Sequence, residues 1–291
     1  RYGTVTGVQT CALPILSFSL NTNIGAMQAN LHSNLNSNAT SKTLESLSSG
    51  SQIGSASYDA SGLGISNQLS AQVSGLGQAI QNSNESIGMI QIADGAMQGI
   101  SDNMERIRVL TLQASNGTMN ADNRAIIQKE IDGLLDSSDD IAKQTSYNGI
   151  NLLNGTGGSS SDGSFVTQTG ASAGDTSTMN IGDAQVASLV GSIDVTTQAG
   201  REEALDSIDS AMQGIGGIRS ELGASQNQLM SNIRNTSVTQ INVASAESQI
   251  RDVDFALESA NFSRQNIMSQ VGSFAQAQAN ASGANITRLF S

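Results

Sequence analysis

Residues 203–257 carry apolar side chains at a spacing that suits one long helix with a single buried edge. Counted in alternating threes and fours, the positions are Leu205, Ile208, Met212, Ile215, Arg219, Leu222, Gln226, Leu229, Ile233, Thr236, Gln240, Val243, Glu247, Ile250, Asp254 and Leu257. Ten of these sixteen are apolar, and the residues between them are mostly Ser, Asn, Gln, Asp, Glu, Ala and Gly. A 3.5-residue repeat of this kind is the seam of a coiled coil. A 55-residue helix would be roughly 80 Å long. One narrow stripe buries too little surface to offset the ordering of so long a backbone, so matching stripes must exist elsewhere in the chain. The polar residues in the seam, Arg219, Gln226, Glu247 and Asp254, cost stability there, fix its register, or lie at its edge.

Composition agrees with narrow seams rather than a broad core: 3% of residues are aromatic and Trp is absent. A net charge of −12 and a sequence pI near 4.3 argue against nucleic acid or an anionic membrane surface as partner. No run of about 18 apolar residues offers a membrane span. The single Cys (Cys11) cannot form an internal disulfide, and the single His (His32) removes most histidine chemistry, His-based zinc clusters included. No HExxH or GxxxxGK[ST] pattern is present, so no enzyme, metal site or cofactor is expected. His32 reads as a solvated or interfacial residue.

Residues 1–16, with the only Pro (Pro14) and no helical period, read as a foreign or non-native leader and make a poor signal peptide. Residues 17–50 form a dilute amphipathic helix carrying Leu20, Ile24, Met27, Leu31, Leu35, Leu44 and Leu47, which needs a partner to order. A small-residue connector follows Gly50. Asp59 then caps a second long stripe: Ile65, Leu69, Val73, Leu76, Ile80, Ile87, Ile90, Met97, Ile100, Met104, Ile107 and Ala114. A break at Asn116-Gly117 and a restart at Asn120 or Asp122 precede a third helix with Ile127, Ile131, Leu134 and Ile141.

Residues 51–155 thus supply helical partners for 203–257, closing on Tyr147-Asn148-Gly149 and Asn154-Gly155 turns. Residues 156–202 read as a short loop and β cap on the bundle tip, with candidate strands at 165–167, 179–181, 186–190 and 193–195. Residues 258–291 are again weakly apolar, through Phe262, Ile267, Val271 and Phe274. The expected fold is mainly α, with long antiparallel helices in a coiled-coil-like bundle, a small β-hairpin or short-strand cap, and terminal helices that pair with each other. The terminal residues Ile24, Met27, Leu31, Phe262, Ile267, Val271 and Phe274 are the candidates for contact with further copies.

These segments carry a resemblance. Asn21-Thr22-Asn23 after Phe18, Leu47-Ser48-Ser49-Gly50, Asp59-Ala60-Ser61-Gly62, the block 91–107 and Ser146-Tyr147-Asn148-Gly149 occur in order. Near the other end stand Leu222-Gly223-Ala224-Ser225-Gln226-Asn227, Ile250-Arg251-Asp252-Val253-Asp254-Phe255 and the block 263–280. Together they resemble bacterial flagellin, the subunit of the flagellar filament, in a near-minimal form with a short central region. The chain departs from that pattern at Ser51-Gln52-Ile53, which lacks the Arg that commonly follows the Leu-Ser-Ser-Gly turn.

The resemblance implies a secreted, extracellular homopolymer used for swimming, exported without a cleaved signal, in which the terminal helices pair as an inner coiled coil. An export chaperone and a cap protein are implied partners. It also implies a patch for Toll-like receptor five at Arg106, Leu110, Gln113 and Glu130, with Leu110 facing outward beside Arg106. A hook-filament junction protein shares the terminal helices and is the alternative within the same organelle. An adhesin or receptor-ligand role is the alternative from a different class.

Overall fold

The computed structural model describes residues 22–158 and 162–289. The leader 1–16, Phe18 and Leu20 lie outside the described residues. The elements are α1 (Ile24–Ser49), α2 (Ala60–Ala114), α3 (Ala121–Gln144), β1 (Ser146–Tyr147), β2 (Ile150–Asn151), β3 (Ser164–Gln168), β4 (Thr176–Asn180), α4 (Val186–Leu189), α5 (Gln198–Arg251) and α6 (Phe255–Leu289). The fold is mainly α, with two small antiparallel strand pairs. Two compact units divide it: one from the residues up to Ile65 and from Ser248 onward, the other Ser66–Glu247.

In the unit Ser66–Glu247, α2 buries Leu76, Ala79, Ser83, Ile90, Ala93, Met97, Ile100, Met104, Ile107, Thr111 and Ala114. With half-buried Ser86 these follow one another in steps of three and four, which keeps one edge of the helix on its partners. Two ion pairs place α5 alongside in the opposite direction: Asp94 with Arg219 and Arg108 with Asp209. Asn103 donating to Ser138 at 3.0 Å and the Arg106 to Glu130 pair set α3 antiparallel to α2.

The α5 edge is Ala204, Ile208, Ala211, Ile215, Leu222 and Leu229. Six of the ten seam positions read from the sequence sit otherwise. Leu205, Met212, Ile233, Val243 and Ile250 are half-buried, and Leu257 is 60% exposed. At the first two, the neighbouring alanines Ala204 and Ala211 take the inner position, since the closely packed seam accommodates the smaller side chain and leaves the larger one on its flank.

The long helix also stops earlier than its apolar period suggests. Asp254 Oδ1 accepts from the backbone N–H groups of Ala256 and Leu257 at 3.0 and 3.1 Å, the arrangement of an N-cap. Asp254 therefore starts α6 rather than continuing α5. The Arg251 carbonyl accepts from Gln52 N at 2.7 Å, and Val253 N donates to the Gly50 carbonyl at 3.0 Å. Gly50 sits at φ +70 as the C-cap of α1, a conformation that favours glycine.

Asp59 caps α2 through Gly62 N, and Asn120 caps α3 through Asn123 N. After α3 the chain makes the hairpin β1–β2 through Asn148 (φ 51) and Gly149 (φ 77), the two left-handed residues of a type I′ turn.

The central segment packs against α2 through its strands. α3 has 24 residues against 55 in α2, so it leaves much of the α2 edge bare. The pair β3–β4, in register Phe165↔Met179, covers it with buried Phe165 and Met179. Ser86 and Thr167 hydroxyls meet at 2.6 Å, and Asn82 donates to the Gln168 carbonyl.

Two expected strands are not strands. Residues 186–189 form the short helix α4, burying Val186. Residues 193–195 are held instead by one side chain, since Gln128 donates to the Ile193 carbonyl and accepts from Val195 N, both at 2.8 Å. Neither segment has a neighbouring strand, so each meets its backbone needs locally or through that amide.

Candidate functional site

In the other unit, α1 and α6 pair antiparallel through small and polar residues. The half-buried or buried positions of α1 are Ala26, Ala29, Ser33, Asn36, Ala39, Thr40, Thr43, Ser46 and Leu47, one face of the helix at steps of three and four with adjacent pairs at 39/40 and 46/47. Opposite them on α6 lie Phe262, Gln265, Gly272, Gln276, Ala279 and Gly283. Two side-chain amides cross the seam to backbone: Asn36 Nδ2 donates to the Gln265 carbonyl at 2.8 Å, and Asn23 Nδ2 to the Ala279 carbonyl at 2.9 Å. Small residues let the helices close, and the two asparagines set their register.

The large apolar residues form a second edge that the pair leaves uncovered. Ile24, Met27, Leu31 and Leu35 on α1, and Ile267, Met268, Val271 and Phe274 on α6, are each more than half exposed, Phe274 by 73%. Leu257 and Phe255 are open as well. An apolar surface of this extent on a water-facing helix pair marks an interaction site. A groove of about 380 Å³ runs between the helices, lined by His32, Leu35, Met268 and Val271. Of the sequence candidates, Phe262 alone lies in the seam of the pair instead of on the open edge.

The electrostatics favour contact with a like surface. Between positions 24 and 41, and between 265 and 287, His32 is the one titratable residue. The charge of −12 is carried elsewhere in the sequence, so like-charge repulsion does not oppose packing of this edge against a copy of itself.

The four candidate receptor residues divide. Arg106 Nη2 and Glu130 Oε1 lie 2.8 Å apart on the surface, each partner about half exposed. Gln113, two turns along α2 from Arg106, is exposed. Leu110 is 2% exposed and belongs to the core with Met104 and Ile107. The inward-facing period of α2 therefore takes in Leu110, contrary to its expected outward position. The spacing 100, 104, 107, 111 carries Leu110 beside the seam, a signal that the sequence contains.

Ion pairs tie the helices around this core. Arg108 Nε donates to Asp209 at 2.7 Å. That hydrogen bond, helped by the opposite charges and opposed by desolvation, holds Asp209 below the ordinary carboxylate value and Arg108 above the ordinary guanidinium value. Asp194 is likewise lowered by hydrogen bonds from the Thr196 hydroxyl and backbone. Among the described residues, no three His, Cys, Asp or Glu groups converge to hold a metal. No described helix is long and apolar enough to cross a membrane.

Comparison with known proteins agrees with this geometry. Residues 20–157 match the bacterial flagellin N-terminal helical region and residues 205–290 the bacterial flagellin C-terminal helical region. The chain is similar to flagellin of Bacillus subtilis, at 36% identity over 93% of this chain and 99% of that protein. It is similar to the flagellar filament 31.3 kDa core protein of Treponema maltophilum at 35% identity, covering 93% and 99% of the two chains. A putative flagellar hook-associated protein from Vibrio parahaemolyticus shares the fold at a TM-score of 0.52 and 17% identity, over 63% of this chain and 95% of that one. With both helical regions matched and this identity over nearly the whole chain, the protein belongs to the bacterial flagellin family.

Proposed function

We propose that the chain is the structural subunit of a bacterial flagellar filament, and that the open apolar edge of the α1–α6 pair is what drives its polymerisation. The observation that carries this reading is the separation of roles within that pair. Small residues and two asparagines hold the helices together, while Ile24, Met27, Leu31, Leu35, Ile267, Met268, Val271 and Phe274 stay in water. Contacts of this kind that do not close into a ring generate an open helical polymer. The polymer stands outside the cell, and the subunit reaches it by export.

An export chaperone and a cap protein are the partners that the exposed ends would need before and during assembly. Each would cover the same apolar surface. Toll-like receptor five is a further candidate partner, through Arg106, Gln113 and Glu130, with Leu110 supporting the patch from beneath. Receptor titration with Arg106→Ala and Glu130→Ala subunits tests this; unchanged affinity for both removes the patch.

Electron microscopy and sedimentation of the purified chain before and after seeding test the main reading. Deleting 262–291 should leave the unit Ser66–Glu247 folded, with its cooperative unfolding transition intact, and abolish polymerisation. Filaments from the deleted chain would overturn the role of the ends.

A further inference from the structure

The sequence has nine methionines, and exposure divides them. Met89, Met97, Met104 and Met179 are buried, and Met119, Met212 and Met230 are half-buried. Met27 at 64% and Met268 at 58% stand open to water. Both lie on the uncovered edge of the α1–α6 pair, one on each helix. Met27 sits between Ile24 and Leu31 in the apolar row of α1. Met268 lines the groove with Leu35 and Val271.

We propose that Met27 and Met268 are oxidative modification sites at which a peroxide-class oxidant decides whether a free subunit can assemble. The inference rests on the reading of this edge as the assembly surface. In the step, a thioether sulfur lone pair attacks one oxygen of hydrogen peroxide. The S–O bond forms as the O–O bond breaks, and the departing hydroxide gains the proton and leaves as water. Sulfur is oxidised by two electrons, peroxide is reduced by two, and the methyl and methylene groups stay in place.

The product is a polar, acceptor-only sulfoxide in the middle of an apolar row. Covered by a second copy without a donor, it opposes association, because burying an unsatisfied polar group is unfavourable. The same burial shields unmodified sulfur in the polymer, so subunits already assembled react slowly and free ones react first. Oxidation thus removes damaged subunits from the assembling pool without unfolding them, since the core methionines Met97 and Met104 are fully enclosed.

The test uses the full chain treated with dilute hydrogen peroxide, followed by peptide mass spectrometry, seeded polymerisation and sedimentation. Met27 and Met268 should each gain one oxygen well before Met97 and Met104, and the assembled fraction should fall roughly tenfold. Methionine sulfoxide reductases for both sulfoxide epimers, added together, should restore it. The Met27→Leu, Met268→Leu double variant, close to volume-conserving, should assemble and continue to do so after peroxide.

Equal assembly of subunits oxidised at both sulfurs would overturn the inference, as would equal peroxide sensitivity of the double variant. If that variant does not assemble untreated, the reductase arm decides: failure of repair to restore assembly overturns the proposal. The untreated chain is run first. If it forms no polymer, the assembly reading itself falls and the inference falls with it.

Discussion

Arg219 of α5 donates from Nε to Oδ1 of Asp94 on α2 at 2.8 Å, across the edge of the seam on which both helices are packed. Arg219 occupies a seam position by spacing, yet its charge is not enclosed: the side chains are 34% and 45% exposed. The bond raises the Arg219 guanidinium above its ordinary value, with desolvation opposing and the charges of Asp94 and Asp102 adding. An arginine here sits at the border of core and water and selects a partner on the opposite helix. Substituting Arg219→Gln should therefore cost about 0.2–1 kcal/mol after solvent screening is allowed for. A double-mutant cycle with Asp94→Asn should return a coupling in that range that shrinks with added salt. A coupling of several kcal/mol would mean that the pair is buried.

Core and edge leucines should separate in their effects. Leu222 is fully enclosed and Leu257 is largely open, although both fall on one apolar period in the sequence. Leu222→Ala should lower the stability of the unit Ser66–Glu247 by about 2–5 kcal/mol, through lost burial plus the cavity left behind. Leu257→Ala should leave chemical denaturation of that unit unchanged and act on polymerisation alone. Denaturant titrations of the two variants read this contrast directly.

This pair of residues also shows what the sequence makes legible. Alternating threes and fours identify α2, α3 and α5 as helices with one buried edge, and polar residues with Asp or Asn before a new apolar run identify Asp59 as a cap and narrow the cap of α3 to Asn120 or Asp122. The same signal was present at Asp254, but the apolar period running on to Leu257 masks it. Spacing does not decide which of two adjacent residues turns inward, as with Ala204 and Leu205, because that depends on how closely the neighbouring helix approaches. Nor does spacing reveal that α1 meets α6 through Ala26, Ser33 and Asn36. Ile24 and Leu31 dominate any hydrophobicity reading, and small residues that permit close approach carry little weight in one. The side-chain clamp from Gln128 to 193–195 joins residues 65 positions apart, and no local pattern announces it.

Acid should weaken the fold through Asp209 and Asp194. Both native carboxyls titrate below the ordinary value, the first through Arg108 and the second through Thr196. The unfolded chain binds protons more readily than the native one at these groups. Their contributions are therefore fully present above the ordinary carboxylate value and fade as the pH falls through the lowered native values. Asp209→Asn should remove part of the loss of stability seen below about pH 4, leaving stability at pH 7 slightly reduced. Thermal unfolding of the two proteins at stepped pH checks this; an identical acid slope in the variant would count against the Arg108 to Asp209 bond.

Register in the terminal pair should depend on the asparagines. Asn36 spans from α1 to the Gln265 carbonyl, and no apolar residue of that seam can enforce a unique alignment when so many positions are Ala, Ser or Gly. Asn36→Ala should loosen the pair by about 1 kcal/mol, the net worth of one such hydrogen bond. Amide exchange should then quicken along α1 while staying unchanged in α3. Uniform exchange in both would show that small-residue packing alone fixes the alignment.

Phe274 offers the sharpest separation of pairing from polymerisation. Its ring is 73% exposed, and positions 265–287 of α6 carry no charge. A Phe274→Asp substitution puts one carboxylate on the open edge without touching Gln265, Gly272, Ala279 or the asparagine bonds, so the α1–α6 seam should survive. In an assembly that carries this edge to its interior, each added subunit would bring an unpaired buried charge, a far larger penalty than loss of the ring's contacts. Polymerisation should therefore stop, and sedimentation should find only free subunits at concentrations where the unmodified chain forms filaments. Phe274→Leu, which keeps the surface apolar, should polymerise with a raised critical concentration. If the aspartate variant grew filaments as readily as the leucine variant, the edge would face solvent in the polymer, and some other surface would have to drive assembly.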